Sequence, residues 1–144
     1  MKHTAFTPTD EQRANLLRLA AHLDLVVTNL RFDMGTFQNE CGTIGCACGH
    51  GPSLGIARND RETWLDYAER AFSAGVFDPA HFWMFGGAWQ GIDNTPRGAA
   101  SRIRYALVHG IPENHSKQAR GLAPLSYTIP ERVEGPTVAA KVFA

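Results

Sequence analysis

The sequence predicts a mainly α-helical fold, with a small single domain over residues 1–112 and an extended, proline-punctuated arm over residues 113–144. Three observations predict it. Apolar residues recur at helical spacing in separate stretches, each opened by a residue that can cap a helix. Proline stands at the first turn of two of these stretches and just beyond the end of one of them, where it does not interrupt a helix. Past Pro112 the helical period disappears, and Pro124, Pro130 and Pro136 punctuate what remains.

The first helix is predicted by "TDEQRANLLRLAAHLD". Thr9 caps it, Gln12 reaches back as the partner in a capping box, and Asp10 and Glu11 suit the positive end of the helix dipole. Leu16, Leu17, Ala20 and Leu23 are expected on the core face. From Leu25, "LVVTNLRFDM" changes period and brings in β-branched residues, reading as a short extended piece or a fraying continuation. A glycine-studded segment follows, through Gly42, Gly45, Gly49 and Gly51 to Pro52, which argues for tight turns rather than a long helix.

A second helix is expected from about Asp60 to Gly75, with Trp64, Leu65, Ala68 and Phe72 on one stripe. Asp78-Pro79 opens a short helix through Phe85, and "GGAWQGIDN" reads as a loop. The last strong helix takes Thr95 as cap and Pro96 as first residue, buries Ala99, Ala100, Ile103 and Leu107, and stops at Gly110.

Size and composition bound the function. One domain of 144 residues is long enough to bury a core, and 44% apolar with 19% charged residues is a globular composition. Lys plus Arg equals Asp plus Glu at 14 each, so no global field recruits nucleic acid or a membrane surface. Near-neutral charge leaves little repulsion between copies, and a homodimer held by the arm's apolar "TVAAKVFA" is the expected assembly. No apolar run approaches the roughly 18 residues of a membrane span, and the first residues lack the apolar core of a secretory leader. All three cysteines fall within eight positions, an arrangement expected of a reducing, cytoplasmic setting rather than a disulfide framework.

That cluster, "CGTIGCACGH" over residues 41–50, is the chemically loudest part of the chain. Cys41, Cys46, Cys48 and His50 supply four zinc-ligand types, but a C-x4-C-x-C-x-H spacing differs from the paired C-x2-C of familiar knuckles. On a helix Cys46 and His50 would share a face while Cys48 points away, leaving a fourth ligand to come from His81 or His109. No complete metal site and no cofactor are expected. As a thiol centre, Cys41 or Cys46 would be the nucleophile and His50 or His81 its base, with His109 and Asn94 also at hand. "QNECGTIGC" resembles the glutamine-then-cysteine start of papain-like enzymes, with two residues too many between the glycine and the second cysteine. The third reading makes Cys46 and Cys48 small buried hydrophobes, with Thr43 capping the turn and His50 hydrogen-bonded and half buried.

Two further features stand out. Arg97, Arg102, Arg104, Lys117 and Arg120 face a single acid, Glu113, over one stretch, which reads either as a phosphate-binding face or as a solvated helix surface. Without a recognisable nucleic-acid module, nucleic acid is not the expected partner. The string "HFWMFGGAW", from His81 through Trp83 to Trp89, reads as the lining of a ligand groove or as a core plug beneath a glycine turn.

"FDMGTF" followed by "CGTIGCACGH" resembles a group of small phage and prophage proteins with F-[DN]-M-x-x-[WF] and then C-G-T-x-x-C-x-x-G-[HW]. Their later portion carries W-x-F and a helix similar to "NTPRGAASRIRYALVHGIP", so the likeness spans about residues 32–112. It implies a phage-type setting and no reaction. Its recurrent residues correspond to Cys41, Gly42, Thr43, Cys46, Gly49 and His50. Cys48 lies outside the pattern.

The sequence therefore leads to a small cytoplasmic accessory protein of phage type, binding a host protein or other macromolecule or a small ligand, with no catalytic residues assigned. Its expected binding residues are Cys41, Thr43, Cys46, His50, His81, Trp83 and Trp89. The rivals are a cysteine-dependent enzyme and a zinc-stabilised nucleic-acid binder.

Overall fold

The computed structural model describes residues 2–25 and 46–130. Cys41, Gly42 and Thr43 of the cysteine motif lie outside the described residues, as does the arm's final stretch with its expected subunit contact.

The fold is mainly α. Helix α1 spans Asp10–Leu25, α2 Trp64–Phe72, α3 Pro79–Phe85, α4 Pro96–His109 and α5 His115–Ala119. Short 3₁₀ turns cover Cys48–His50, Pro52–Leu54 and Gly91–Asn94. The sheet is one antiparallel pair, β1 (His3–Thr4) against β2 (Ile111–Pro112), with His3 opposite Pro112 and Thr4 opposite Ile111. Among the described residues no helix is long and apolar enough to cross a membrane.

α1 begins as its sequence dictates. The Thr9 N–H donates to Gln12 Oε1 at 2.8 Å and the Gln12 N–H donates to Thr9 Oγ1 at 3.1 Å, the reciprocal bonds of a capping box. Its buried stripe is Leu16, Leu19, Ala20 and Leu23. Leu17, expected inside, is 50% exposed, because it stands 100° around the helix from Leu16 while Leu19 and Leu23 keep the seam. This face packs chiefly on α4, whose buried side includes the small Ala99, Ala100 and Ala106 beside the larger Ile103.

α2 is shorter than expected. Arg61 takes a positive φ of 62° and Thr63 caps the helix by accepting from the Asp66 N–H at 3.1 Å, so residues 60–63 form the approach, not a first turn. At the other end Ser73 turns left-handed and the Ala74 N–H reaches back to the Ala68 carbonyl, a Schellman-type closure ahead of Gly75. The buried face is Tyr67, Ala68, Ala71 and Phe72. Leu65 lies on the solvent side, and Trp64 is half buried with the Arg58 guanidinium 4.1 Å from its ring centroid.

The caps of α3 and α4 are those predicted. Asp78 accepts from the Ala80 N–H at 2.9 Å with Pro79 next, and Thr95 accepts from the Gly98 N–H at 3.2 Å with Pro96 next. Gly110 ends α4 with φ 85°, and a Cβ there would meet the Thr4 carbonyl oxygen at 2.6 Å. Glycine is required at this point on both grounds: the left-handed turn and the close passage of β1.

The expected arm starts differently. Residues 115–119 form α5, which packs against α3, and the segment after it is pinned by Gln118. That buried amide accepts from the Ser126 N–H and hydroxyl, both at 2.9 Å, and donates to Asn114 Oδ1 at 2.7 Å. Tyr127, one residue on, is thereby delivered into the core.

Candidate functional site

The described part of the cysteine motif is a packed turn. Cys46, Cys48 and His50 are all buried, and the Gly49 N–H points at Cys46 Sγ at 3.4 Å. The Ser53 hydroxyl donates to the His50 carbonyl at 2.7 Å, and the His22 ring of α1 lies 6.1 Å from that of His50. Burial, reinforced by Cys46 and only partly opposed by Arg58, pushes the Cys48 thiol well above its ordinary range. Burial first, then His50, lowers the pKa of His22. Cys48 is thus kept as a thiol, unlike a nucleophile held as thiolate. Among the described residues no group of three His, Cys, Asp or Glu side chains is placed to hold a metal ion.

His81 is engaged on other elements. Its Nδ1 donates to the Ala74 carbonyl at 2.9 Å, and its ring packs edge-on against Phe85 at 6.0 Å.

The aromatic string forms a core plug, and its centre is an arginine. Trp83 and Trp89 are buried and meet edge-on at 5.2 Å. The Trp83 indole donates to the Arg102 carbonyl at 2.9 Å, while Arg102 Nε donates to the Trp83 carbonyl at 2.8 Å. Arg102 Nη1 donates to the Asp93 carbonyl and to the Tyr127 hydroxyl, and the guanidinium lies 4.3 Å from the Trp89 centroid. Arg102 Nη2 is buried with no hydrogen-bond partner among the described residues. The Tyr127 hydroxyl in turn donates to Asp93 Oδ1 at 3.0 Å. Burial raises the Tyr127 phenol to about 12, against the opposing pull of Arg102, and burial likewise lowers the pKa of Arg102.

This corrects the basic face read from the sequence. Arg102 is fully buried, and Arg97 and Arg104 both pair with Asp24 at the end of α1, at 3.5 and 2.8 Å. Lys117 and Arg120 lie exposed on α5 and just beyond it. The five cations do not form one phosphate-binding surface.

Two clefts of the described surface adjoin these elements. The larger, about 590 Å³, lies where the start of α1 meets the end of α2 and carries Glu69, Asp78 and the 96% exposed Phe77. The smaller, about 360 Å³, runs along α4 and is closed on its other side by Ser126, Tyr127, Thr128 and Pro130. Ser101, Arg104, Tyr105 and Val108 line it at helical spacing, and Tyr127 forms part of the facing wall. None of its lining residues is a carboxylate.

The geometry of this second cleft is tightly set. Trp83 packs against Tyr105 at 5.6 Å and against Tyr127 at 5.4 Å, so one buried indole fixes both tyrosine rings. The Tyr105 hydroxyl is held by His3 Nε2 at 2.7 Å and its ring stacks on His109 at 4.6 Å. Ser101 is only 7% exposed and lines the cleft. Among the described residues its hydroxyl has no hydrogen-bond partner. Of these residues the sequence placed Trp83 in a binding groove and Arg104 on a basic face, and it marked Ser101, Tyr105, Val108 and Tyr127 for neither role. The spacing 101, 104, 105, 108 was visible, but the facing wall comes from Tyr127, whose position depends on Gln118.

Compared with models of known protein families, with curated proteins and with solved structures, the chain matches none.

Proposed function

We propose that this protein is a small, non-catalytic binding module, working in a phage-type setting and holding a small ligand in the α4 cleft. The observation that carries the reading is the cleft's lining: the rings of Tyr105 and Tyr127 stand with Arg104 and Ser101 around one opening, and no carboxylate lines it. A volume of about 360 Å³ falls at the small end of the range of small-molecule pockets, about 300–1,000 Å³. Cys46, the candidate nucleophile among the described residues, is buried in a packed turn, which favours packing over thiol catalysis there. The phage-type setting is supported by the sequence resemblance alone.

The test is a titration followed in ¹H–¹⁵N correlation spectra, using a set of small aromatic fragments. Binding is expected to shift Ser101, Tyr105, Val108 and Tyr127 together. Shifts confined to the Glu69–Asp78 cleft, or none at millimolar fragment, would overturn the reading.

A further inference from the structure

We infer that the α4 cleft selects a small planar molecule carrying a single anionic group, of the aromatic carboxylate class. This rests on the cleft being the binding site and adds the chemistry of what enters it.

Charge points to an anion. Arg97 and Arg104 share one carboxylate, Asp24, so two cations stand against one anion beside a cleft whose lining holds no acid. Arg104 commits Nη1 to Asp24. Its Nε and Nη2 have no partner among the described residues and remain able to donate to a carboxylate, whose two oxygens suit a guanidinium fork.

Shape points to a flat body. The hydroxyls of Tyr105 and Tyr127 are already taken, by His3 in one case and by Asp93 and Arg102 in the other. The two side chains therefore offer ring surface, which packs best on another ring. Ser101 adds one hydroxyl from the α4 side, and Val108 adds an apolar contact one helical turn beyond Arg104.

The experiment compares benzoate, benzyl alcohol and benzylamine, three molecules of similar shape and different charge, by ¹H–¹⁵N titration of the full chain. Benzoate is expected to bind about tenfold more tightly than benzyl alcohol, the discrimination one charge-assisted hydrogen bond supports, and benzylamine most weakly. Arg104→Gln should abolish the preference for benzoate over benzyl alcohol. Asp24→Asn, which releases both arginines, should enlarge the preference, and it keeps the test open if Arg104→Gln fails to fold. Equal binding of the three, or no change of the ratio in either variant, overturns the charge assignment and leaves the cleft as a binding site. No shift at Ser101, Tyr105 or Tyr127 with any of the three overturns both.

Discussion

The Tyr67 hydroxyl occupies the space that a side chain on Gly51 would need: a Cβ at Gly51 would lie 2.2 Å from it. That hydroxyl donates to the Ile56 carbonyl, so the turns after the cysteine motif wrap around a phenol from α2. Gly51→Ala is expected to destabilise the protein by about 1–3 kcal/mol, the usual cost of overpacking. Tyr67→Phe alone should cost about 1 kcal/mol for the lost hydrogen bond. Combined with Gly51→Ala it should recover much of the loss, because the obstructing atom is gone. Strictly additive losses in urea unfolding would show that the hydroxyl is not the obstacle.

Arg102 and Arg104 stand two residues apart and should respond very differently. Lysine at 102 keeps the charge but loses the fork that reaches Trp83, Asp93 and Tyr127, and about 2 kcal/mol or more of stability should go with it. Arg104→Lys alters a half-exposed pair with Asp24 and should cost about 0–1 kcal/mol. Equal midpoints of denaturation for the two variants would refute the ranking.

Acid should loosen the approach to α2. The Arg70 guanidinium, hydrogen-bonded to Glu62, lowers that carboxyl from the ordinary 4.5 to about 2, with the Asn59 N–H adding to the effect. A carboxyl depressed in the folded state contributes stability that is complete above its unfolded pKa and lost as pH falls through the folded one. The wild-type protein should therefore lose this contribution between about pH 5 and about pH 2, while Glu62→Gln shows a shallower decline over that window. Parallel stability profiles would exclude Glu62 as a contributor.

Cys48 should resist thiol reagents in the native state. Its thiol is fully buried and held protonated, and both facts oppose attack on a disulfide reagent. Mass-mapped labelling should find it modified only as denaturant unfolds the chain. Rapid native labelling near neutral pH would show that the packed turn leaves this thiol open to reagent.

Local signals were the legible part of this fold. Thr9 with Gln12, Asp78 with Pro79, and Thr95 with Pro96 each act within four residues, and each forms the predicted cap. Faces were harder. Leu17 and Leu65 were read as buried because apolar character alone does not fix the centre of a stripe. The burial of Arg102 was available in outline, since it falls three residues after Ala99 and four before Ala106 on the core face of α4. Arginine chemistry argued for solvent, and only the carbonyls of Trp83 and Asp93 make burial tolerable. The cleft was least legible. Its second wall depends on Gln118 capturing Ser126, a contact between side chains and loop that no period announces.

The pairing of β1 with β2 has a consequence for the order of folding. His3 and Pro112 stand more than a hundred residues apart, and closing a loop of that length costs about 4 kcal/mol in chain entropy. Two residue pairs cannot meet that cost unaided, so the strand closes only after α1 has docked on α4 and brought the ends near each other. His3 also holds the Tyr105 hydroxyl, which makes the amino-terminal strand a late-arriving latch on the wall of the cleft. Hydrogen exchange at Ile111 should accordingly report completion of the native state, trailing protection in the helices.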